Sequence, residues 1–218
     1  EGYIRLNGRA LRLDNDAGRG LPAADVDARV DLARTSATLN GKLAMGATAS
    51  VTVKGTAPLG PDGALDLRTQ GFADLAILNP LLTQQGRRGA GRLTLDLSVA
   101  VSAASPRLAG SVALAGGSIQ DFAQGIHLTD INGRITGDQD TLKLTALKAK
   151  ARQGTIAASG TVSPFAPGIP VDLAIVAKNA RPLASDLLSA DMDADMTVKG
   201  SVLQQLAMSA SQATSKGN

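Results

Sequence analysis

The chain has 218 residues, a formal net charge of +3 and no cysteine, so it can form neither a disulfide framework nor a thiolate metal site. Aromatic residues make up only 2% of it, and any core has to be built from Leu, Val, Ile, Ala and Met. No run approaches the roughly 20 apolar residues of a membrane-spanning helix. The charges are interspersed, as on a solvated surface, and the near absence of stacking aromatics disfavours nucleic-acid binding.

Alternation of apolar and polar residues is the dominant pattern from the first residues to the last. It begins in "YIRLNGRALRL", is clearest at 91–102 ("GRLTLDLSVAVS"), and returns at 171–178 and 192–200. A period of two predicts strands with one dry and one wet face. In "IHLTDINGRI" and "TLKLTALKAKA" the alternation slips by one residue midway, which predicts a β-bulge in each.

Two segments depart from this pattern and predict one short helix each. The first, 73–82 ("ADLAILNPLL"), has Asp74 as its N-cap and leucines at helical spacing. The second, 181–188 ("RPLASDLL"), has Pro182 in its first turn. We expect both to cap an edge or an end of the sheet, with a mobile plug or a membrane-touching element as the alternative.

A weak internal repeat divides the chain. The stretch 154–162 ("GTIAASGTV") is similar to 49–57 ("ASVTVKGTA"), and the similarity extends on both sides at an offset of about 105 residues. We therefore predict two tandem units of one continuous sheet, 1–105 and 106–218. The same alignment places Asn40-Gly41 and Asn132-Gly133 inside strands or at bulges, because their partners in the other copy lack turn chemistry.

The sequence contains few candidates for catalytic, metal-binding or phosphate-binding residues. His127 is the only histidine, without a partner at ligand spacing, and is expected on a strand face. No catalytic triad, carboxylate pair or metal cluster stands out, so we expect neither an enzyme nor a cofactor. The segment 86–92 ("GRRGAGR") lacks the Lys-Ser/Thr ending of a phosphate-binding loop and is interpreted as a flexible basic loop.

What remains is the dry face of the sheet. Such a face must be covered, either by folding into a sandwich, by curling into a groove or by meeting a partner. Few aromatics and many Ala and Gly residues favour curvature around a narrow interior that suits acyl chains, although a sandwich core fits the sequence equally well. The candidate groove residues are Leu65, Leu67, Leu93, Leu95, Leu97, Val99, Val101, Leu142, Leu144, Ile156, Ala158, Val162, Val171, Leu173, Ile175, Met192, Met196 and Val198.

The second unit resembles a known family. In order, it contains "DINGRITGD" at 130–138, "GTIAASGTV" at 154–162, "VDLAIVAKNA" at 171–180, the 181–188 segment and "ADMTVKGS" at 194–201. This succession is similar to the C-terminal region of the TamB family, the translocation and assembly module subunits related to AsmA-like envelope proteins. Most of the resemblance lies in the last 90 residues or so, and the first unit is less similar to the family.

The resemblance implies a mainly β protein whose elongated, curved sheet forms a hydrophobic trough, a β-taco. Members of the family are anchored in the inner membrane, cross the periplasm and work with TamA, an outer-membrane barrel. They are implicated in outer-membrane protein assembly and in moving phospholipid. By resemblance, we expect a periplasmic section without the anchor, with phospholipid acyl chains and a TamA-like barrel as partners.

Two further expectations concern the edges of the sheet. An exposed edge could instead hold outer-membrane β-strands by β-augmentation, which would make the chain a scaffold or chaperone. The same exposure predicts edge-to-edge self-association of the chain.

Overall fold

The computed structural model describes residues 1–12, 20–60, 63–101, 106–180 and 192–201. These residues form a mainly β protein, a single open and curved antiparallel sheet of twelve strands that pair in chain order. The strands are β1 (Gly2–Leu11), β2 (Ala24–Leu32), β3 (Ser36–Met45), β4 (Ala49–Pro58), β5 (Leu65–Asp74), β6 (Arg87–Val101), β7 (Pro106–Asp121), β8 (Ile126–Gln139), β9 (Thr141–Ala151), β10 (Gly154–Val162), β11 (Pro170–Ala180) and β12 (Met192–Ser201).

The fold class predicted from alternation is confirmed, and the question of sandwich or groove is resolved. Each described strand makes its substantial contacts with its neighbours in sequence, and no second sheet packs on the first in this part of the chain. Alternation could not decide this point, because a sandwich and an open sheet both need one dry face.

The first short helix is present but is mostly 3₁₀. A 3₁₀ turn at Leu75–Leu78 leads into one α-helical turn, α1 (Asn79–Leu82), and a second 3₁₀ turn at Thr83–Gln85. Asp74 is the N-cap as predicted, since its carboxylate accepts a hydrogen bond from the Ala76 N–H at 2.9 Å. The second predicted helix, 181–188, lies outside the described residues.

Both predicted bulges occur. In β8 the register against β9 shifts between Thr129 and Asn132, and in β9 one extra residue lies between Leu144 and Leu147. Asn40-Gly41 lies within β3 and Asn132-Gly133 at the β8 bulge, as predicted. His127 pairs with Gln120 on an exposed strand position, which is also as predicted.

The prediction of a flexible loop at 86–92 is wrong. Only Gly86 is in a turn, with a φ of 68°, and β6 starts at Arg87. Gly89 and Gly91 look like loop residues in the sequence but lie within β6, and Gly91, unlike Gly89, is a close-approach position. The Gly89 N–H donates to Asn79 Oδ1 at 2.8 Å, and a Cβ on Gly91 would lie 2.8 Å from Gly117 Cα.

Very little of the molecule is a core. Among the described residues, seven hydrophobic side chains are buried, and five of them are alanines. Three of these, Ala151, Ala177 and Ala180, form a small cluster between β9 and β11 with Leu128, Ile156 and Ala194 packed against it. The stability of the sheet therefore rests mainly on strand pairing and on half-buried side chains.

Candidate functional site: the apolar face

Strand pairing sets one face of the sheet apart by its composition. Residues directly opposite each other in neighbouring strands share a face, so a row of partners can be followed across the sheet. One row contains only apolar residues and glycine. It runs through Gly8, Val26, Leu43, Val51, Gly71, Leu95, Val112, Ile135, Leu144, Gly160, Leu173 and Val198.

The adjacent row on the same side has Thr69 as its only polar side chain. It runs through Leu6, Ala28, Gly41, Val53, Thr69, Leu97, Gly110, Gly137, Leu142, Val162, Val171 and Gly200. We call the side of the sheet that carries these two rows the apolar face. It continues without interruption from β1 to β12.

Seventeen of the eighteen candidate groove residues lie on the apolar face. In the first unit Leu65 and Leu67 pair with Val101 and Val99. In the second unit Ile175 pairs with Met196 and Ala158, and the backbone of Met192 pairs with Ala180. The candidates from the two units are thus placed on one surface, although they are far apart in the sequence.

The sequence analysis missed the residues that join the two halves. β7 and β8 contribute Leu108, Val112, Leu114 and Ile135, which pair with candidates on β6 and β9. The signal was present in "RLAGSVALAGG", where every second residue is apolar or glycine. Gly110 interrupts the run of large side chains and hides the alternation.

The opposite, outer face is polar and charged. A row of polar residues crosses all twelve strands, through Asn7, Asp27, Lys42, Thr52, Gln70, Asp96, Ser111, Thr136, Lys143, Thr161, Asp172 and Lys199. Four exposed ion pairs between described residues bridge neighbouring strands here, Arg5–Asp27 at 3.6 Å, Arg68–Asp96 at 3.3 Å, Lys150–Asp130 at 2.7 Å and Lys199–Asp172 at 3.1 Å, apart from the buried Arg87–Asp121 pair described below. Each is solvent-exposed and adds little stability on its own.

Exposure differs between the two faces even though nothing is stacked on the apolar one in the described residues. Along β2, half-buried Val26, Ala28 and Val30 alternate with exposed Asp27 and Arg29. In a flat sheet without a second layer, both faces would be similarly open to water. Curvature toward the apolar face brings its side chains together and accounts for the difference.

Two glycines on the apolar face occupy equivalent places in the two predicted units. Gly55 in β4 has a φ of 152° and Gly160 in β10 has a φ of 151°. A Cβ would lie 2.0 Å from Asp66 O at the first position and 2.1 Å from Asp172 O at the second. The backbone of the next strand therefore occupies the side-chain space at both positions, which only glycine permits.

A buried carboxylate closes one end of the sheet, where β6 begins and β7 ends. Asp121 is 6% exposed. It accepts hydrogen bonds from Arg87 Nε at 2.8 Å and from the Gln124 N–H at 3.0 Å. The Arg87 hydrogen bond, supported by the Gln124 N–H, holds the pKa of Asp121 below its usual value, while burial opposes the shift. This is a structural ion pair that ties the long β6–β7 hairpin together.

Comparison with protein-family models, curated proteins and solved structures finds no match to this chain. Across the described ranges, no three His, Cys, Asp or Glu side chains are grouped as metal ligands would be. No helix in the same ranges combines the length and the apolar character needed to cross a bilayer. The functional argument therefore depends on the apolar face itself.

Proposed function

We propose that this chain is a section of a TamB-like periplasmic protein whose apolar face conducts phospholipid between the inner and outer membranes. The observation that carries the proposal is the continuous apolar face over twelve strands, with no second layer packed on it in the described part of the chain. A soluble protein rarely exposes an apolar surface of this extent unless something binds there.

The chemistry of the face fits an acyl chain. Its side chains are aliphatic, and the two central rows contain one polar side chain, Thr69. Burial of a methylene group is worth about 0.8 kcal/mol, and nothing in these rows would fix a chain at one position. The headgroup stays in water beside the groove, so transport is passive and follows the lipid gradient.

The membrane context of the proposal comes from the family resemblance. In the full-length protein, an anchor outside this section holds the sheet at the inner membrane, and a TamA-like outer-membrane barrel receives it. The same arrangement would support outer-membrane protein assembly.

A matched pair of substitutions on β6 tests lipid binding. Leu95→Asp puts a carboxylate on the apolar face, and Thr94→Asp puts one on the exposed outer face one residue away. We expect Leu95→Asp to lower bound phospholipid at least about tenfold, because the carboxylate cannot be desolvated against acyl chains. Thr94→Asp is expected to leave lipid binding unchanged.

The measurement is mass spectrometry of phospholipid carried by each purified variant after incubation with phosphatidylethanolamine–phosphatidylglycerol vesicles. Circular dichroism and urea titration check that both variants keep the fold. If Leu95→Asp folds and carries as much phospholipid as Thr94→Asp, or if the unaltered chain carries none, the conduit proposal is wrong.

A scaffold for outer-membrane strands is the second candidate, because β1 and β12 each have one edge unpaired within the described residues. Edge pairing uses backbone groups, so a scaffold would tolerate Leu95→Asp. Binding of an outer-membrane β-hairpin peptide that Leu95→Asp leaves intact, together with an absence of bound lipid, would favour this function.

A further inference from the structure

Two charged side chains lie on the apolar side of the sheet at one of its rims. The strand ends form two rims, and we call the one where β6 begins at Arg87 the Arg87 rim. Arg87 lies opposite Asp121, and two positions further in Gly89 lies opposite Ile119. Ile119 in turn lies opposite Leu128, which packs against the alanine cluster of the apolar face. Because side chains two residues apart share a face, the ion pair is on the apolar side.

This position is exceptional for a charge. Arg87 and Asp121 are the only charged residues that strand pairing places on the apolar face within the described strands. A charge in the middle of the face would be costly to desolvate. At a rim the groove meets water, so a charge there is solvated and still within reach of a molecule in the groove. A rim is also where the headgroup of a bound lipid leaves the apolar face.

Asp121 engages only part of the Arg87 guanidinium. Arg87 Nε donates to Asp121 Oδ2 at 2.8 Å, and Nη1 lies 3.4 Å from Gln85 Oε1. Among the described residues, Nη2 has no acceptor within hydrogen-bonding distance. The side chain of Arg87 is 48% exposed, whereas that of Asp121 is 7% exposed. The carboxylate therefore holds the guanidinium in place and leaves its outer edge, Nη1 and Nη2, open to water.

Apolar side chains lie around the ion pair. Ile119 is 50% exposed on the same side of the sheet. Leu82, in the short helix, covers Gly89, and its Cδ1 would lie 3.5 Å from a Cβ there. Phe122 begins the β7–β8 turn and is 62% exposed, with the guanidinium carbon of Arg88 6.0 Å from its ring centroid. A guanidinium with an open edge thus lies beside accessible apolar surface.

The charge of this part of the rim is positive in spite of Asp121. The ion pair itself is neutral, and Arg88, on the outer face, has uncharged Gln120 opposite it. The other charges near the rim from β5 to β9 are Asp74 opposite Arg92, Asp130 paired with Lys150, and Arg152 at the β9–β10 turn. Positive side chains therefore outnumber carboxylates along this stretch, which attracts anions from water.

We propose that Arg87 binds the phosphate of a phospholipid whose acyl chains lie on the apolar face, with Asp121 as the residue that positions the guanidinium. The inference rests on the proposed lipid conduction and deepens it by assigning a headgroup site. Two parallel N–H bonds from one guanidinium edge match the geometry of a phosphate. A ligand that combines a phosphate with acyl chains uses both the cation and the apolar side chains around it.

Neutralisation of the ion pair tests this site without a change in net charge. Arg87→Gln with Asp121→Asn removes both charges, so that no buried carboxylate is left without a partner. Arg68→Gln with Asp96→Asn makes the same change at an exposed pair on the outer face and is the matched control. Arg87→Lys is a milder variant that keeps Asp121 paired, but its ammonium has no planar edge for a phosphate.

Calorimetric titration with three soluble probes measures binding to each folded variant. The probes are monomeric dihexanoylphosphatidylglycerol, dihexanoylglycerol, which lacks the phosphate, and glycerol phosphate, which lacks acyl chains. We expect the tightest phospholipid site to weaken about tenfold in the neutralised Arg87–Asp121 variant and about threefold in Arg87→Lys, relative to the control pair. Dihexanoylglycerol is expected to bind all variants equally. Glycerol phosphate is expected to bind the unaltered chain at least about tenfold more weakly than the phospholipid.

A paramagnetic label locates the phosphate, and the chain has no cysteine to interfere. Gln124→Cys places a nitroxide at the exposed β7–β8 turn and keeps the backbone N–H that donates to Asp121. Ala109→Cys places one at an exposed position near the other end of β7, roughly 40 Å away along the strand. The phosphorus NMR signal of bound dihexanoylphosphatidylglycerol is expected to be lost with the first label and kept with the second.

Four results would overturn the headgroup site. The phospholipid could bind the neutralised variant as tightly as the control pair, or both labels could affect the phosphorus signal equally. An equal loss of dihexanoylglycerol binding would make the ion pair purely structural. Glycerol phosphate binding as tight as that of the phospholipid would make this a site for free phosphate.

Failure of the headgroup site and failure of the conduit give different results. If the unaltered chain binds both lipids and Leu95→Asp lowers their binding, the conduit stands whatever the Arg87 variants do. If the unaltered chain binds neither lipid, both proposals are wrong.

Discussion

At the scale of single residues, Gly160 and Gly55 show how the apolar face is shaped. Each lies in the middle of a strand, where glycine is usually unfavourable because it adds flexibility and contributes no packing. Each has a φ near 150° with a carbonyl oxygen of the next strand in the side-chain position. The chain accepts a weak strand residue at these points because the backbone of the next strand occupies the space that a side chain would need.

Substitution of Gly160 tests this interpretation. Gly160→Val is expected to lower the free energy of unfolding by at least about 1–3 kcal/mol, because it forces a branched side chain into a glycine-only conformation. Gly41→Ala is the control, since Gly41 lies on the same face and the nearest atom to its added Cβ would be 3.8 Å away. Urea unfolding measures both. Equal stability of the two variants would contradict the requirement for glycine at position 160.

The ion pair of Asp121 is the second feature that acts at residue scale. The pKa of Asp121 is lowered in the folded chain, mainly by the hydrogen bond from Arg87. The ionised carboxylate therefore favours folding above the pKa of an unfolded Asp, near 4. This contribution is lost as the pH falls through the lower folded pKa.

The lowered pKa of Asp121 predicts how the stability of the folded chain changes with pH. Asp121→Asn is expected to be less stable than the unaltered chain at pH 7 and to lose less stability between pH 5 and about pH 2. Asp66→Asn, at an exposed carboxylate on the outer face, serves as the control. Thermal unfolding at each pH provides the measurement. Parallel pH profiles for Asp121→Asn and the unaltered chain would show that the ion pair contributes nothing.

At the scale of elements, bulges keep the alternation in phase with the apolar face. In β9, Leu142 and Leu144 lie on this face before the bulge, and Leu147, Ala149 and Ala151 lie on it afterwards. The extra residue at 145–146 lets both halves contribute to the same side. If all the residues of β9 alternated regularly with no bulge, one half would point to the wrong face.

Two single-residue deletions shorten β9 equally but differ in whether they change the residues that face the apolar side. Deletion of Ala146 leaves a regular strand with every apolar residue still facing the same way, and is expected to cost no more than about 1 kcal/mol. Deletion of Lys148 moves Lys150 onto the apolar face and Ala149 and Ala151 off it. This variant is expected to lose more than about 3 kcal/mol or to fail to fold. Urea unfolding measures the free energy of unfolding of both variants. An equal loss in the two would contradict the assigned register of β9.

The sequence predicted individual strands better than it predicted their environment. Long alternation identified β6, and phase slips located the bulges in β8 and β9, because both are local consequences of a two-residue period. Glycines explain the strands that the sequence did not predict. Gly110 concealed the apolar face of β7. Gly89 and Gly91 resemble loop residues in the sequence, because the close approach of the Gly91 backbone to Gly117 in the next strand leaves no pattern in a single strand.

For the candidate site, too, the sequence predicts local features but not their surroundings. Alternation placed seventeen of the groove residues on one face, because one face per strand is a local property. That the twelve faces join into one surface depends on strand order, which sequence periodicity does not contain. Whether that surface is covered by a second sheet depends on curvature, and only the fold shows this.

At the scale of the whole molecule, the open sheet resembles a repeat array rather than a domain with a central core. Each strand packs against its two neighbours, and few of the described side chains are fully shielded from water. Such an arrangement is extended by adding strands, not by enlarging a core. The two-unit interpretation remains a prediction, which the matching glycines 55 and 160 favour.

The central claim is that acyl chains occupy the apolar face of this sheet. The most direct test replaces Ile175 with a photoreactive benzoylphenylalanine in the full-length protein in cells, with Ala174 on the outer face as the matched position. After irradiation, mass spectrometry of the purified protein is expected to find phospholipid attached at position 175 and not at 174. Equal labelling at both positions, or no phospholipid at 175 in a folded protein, would contradict the account.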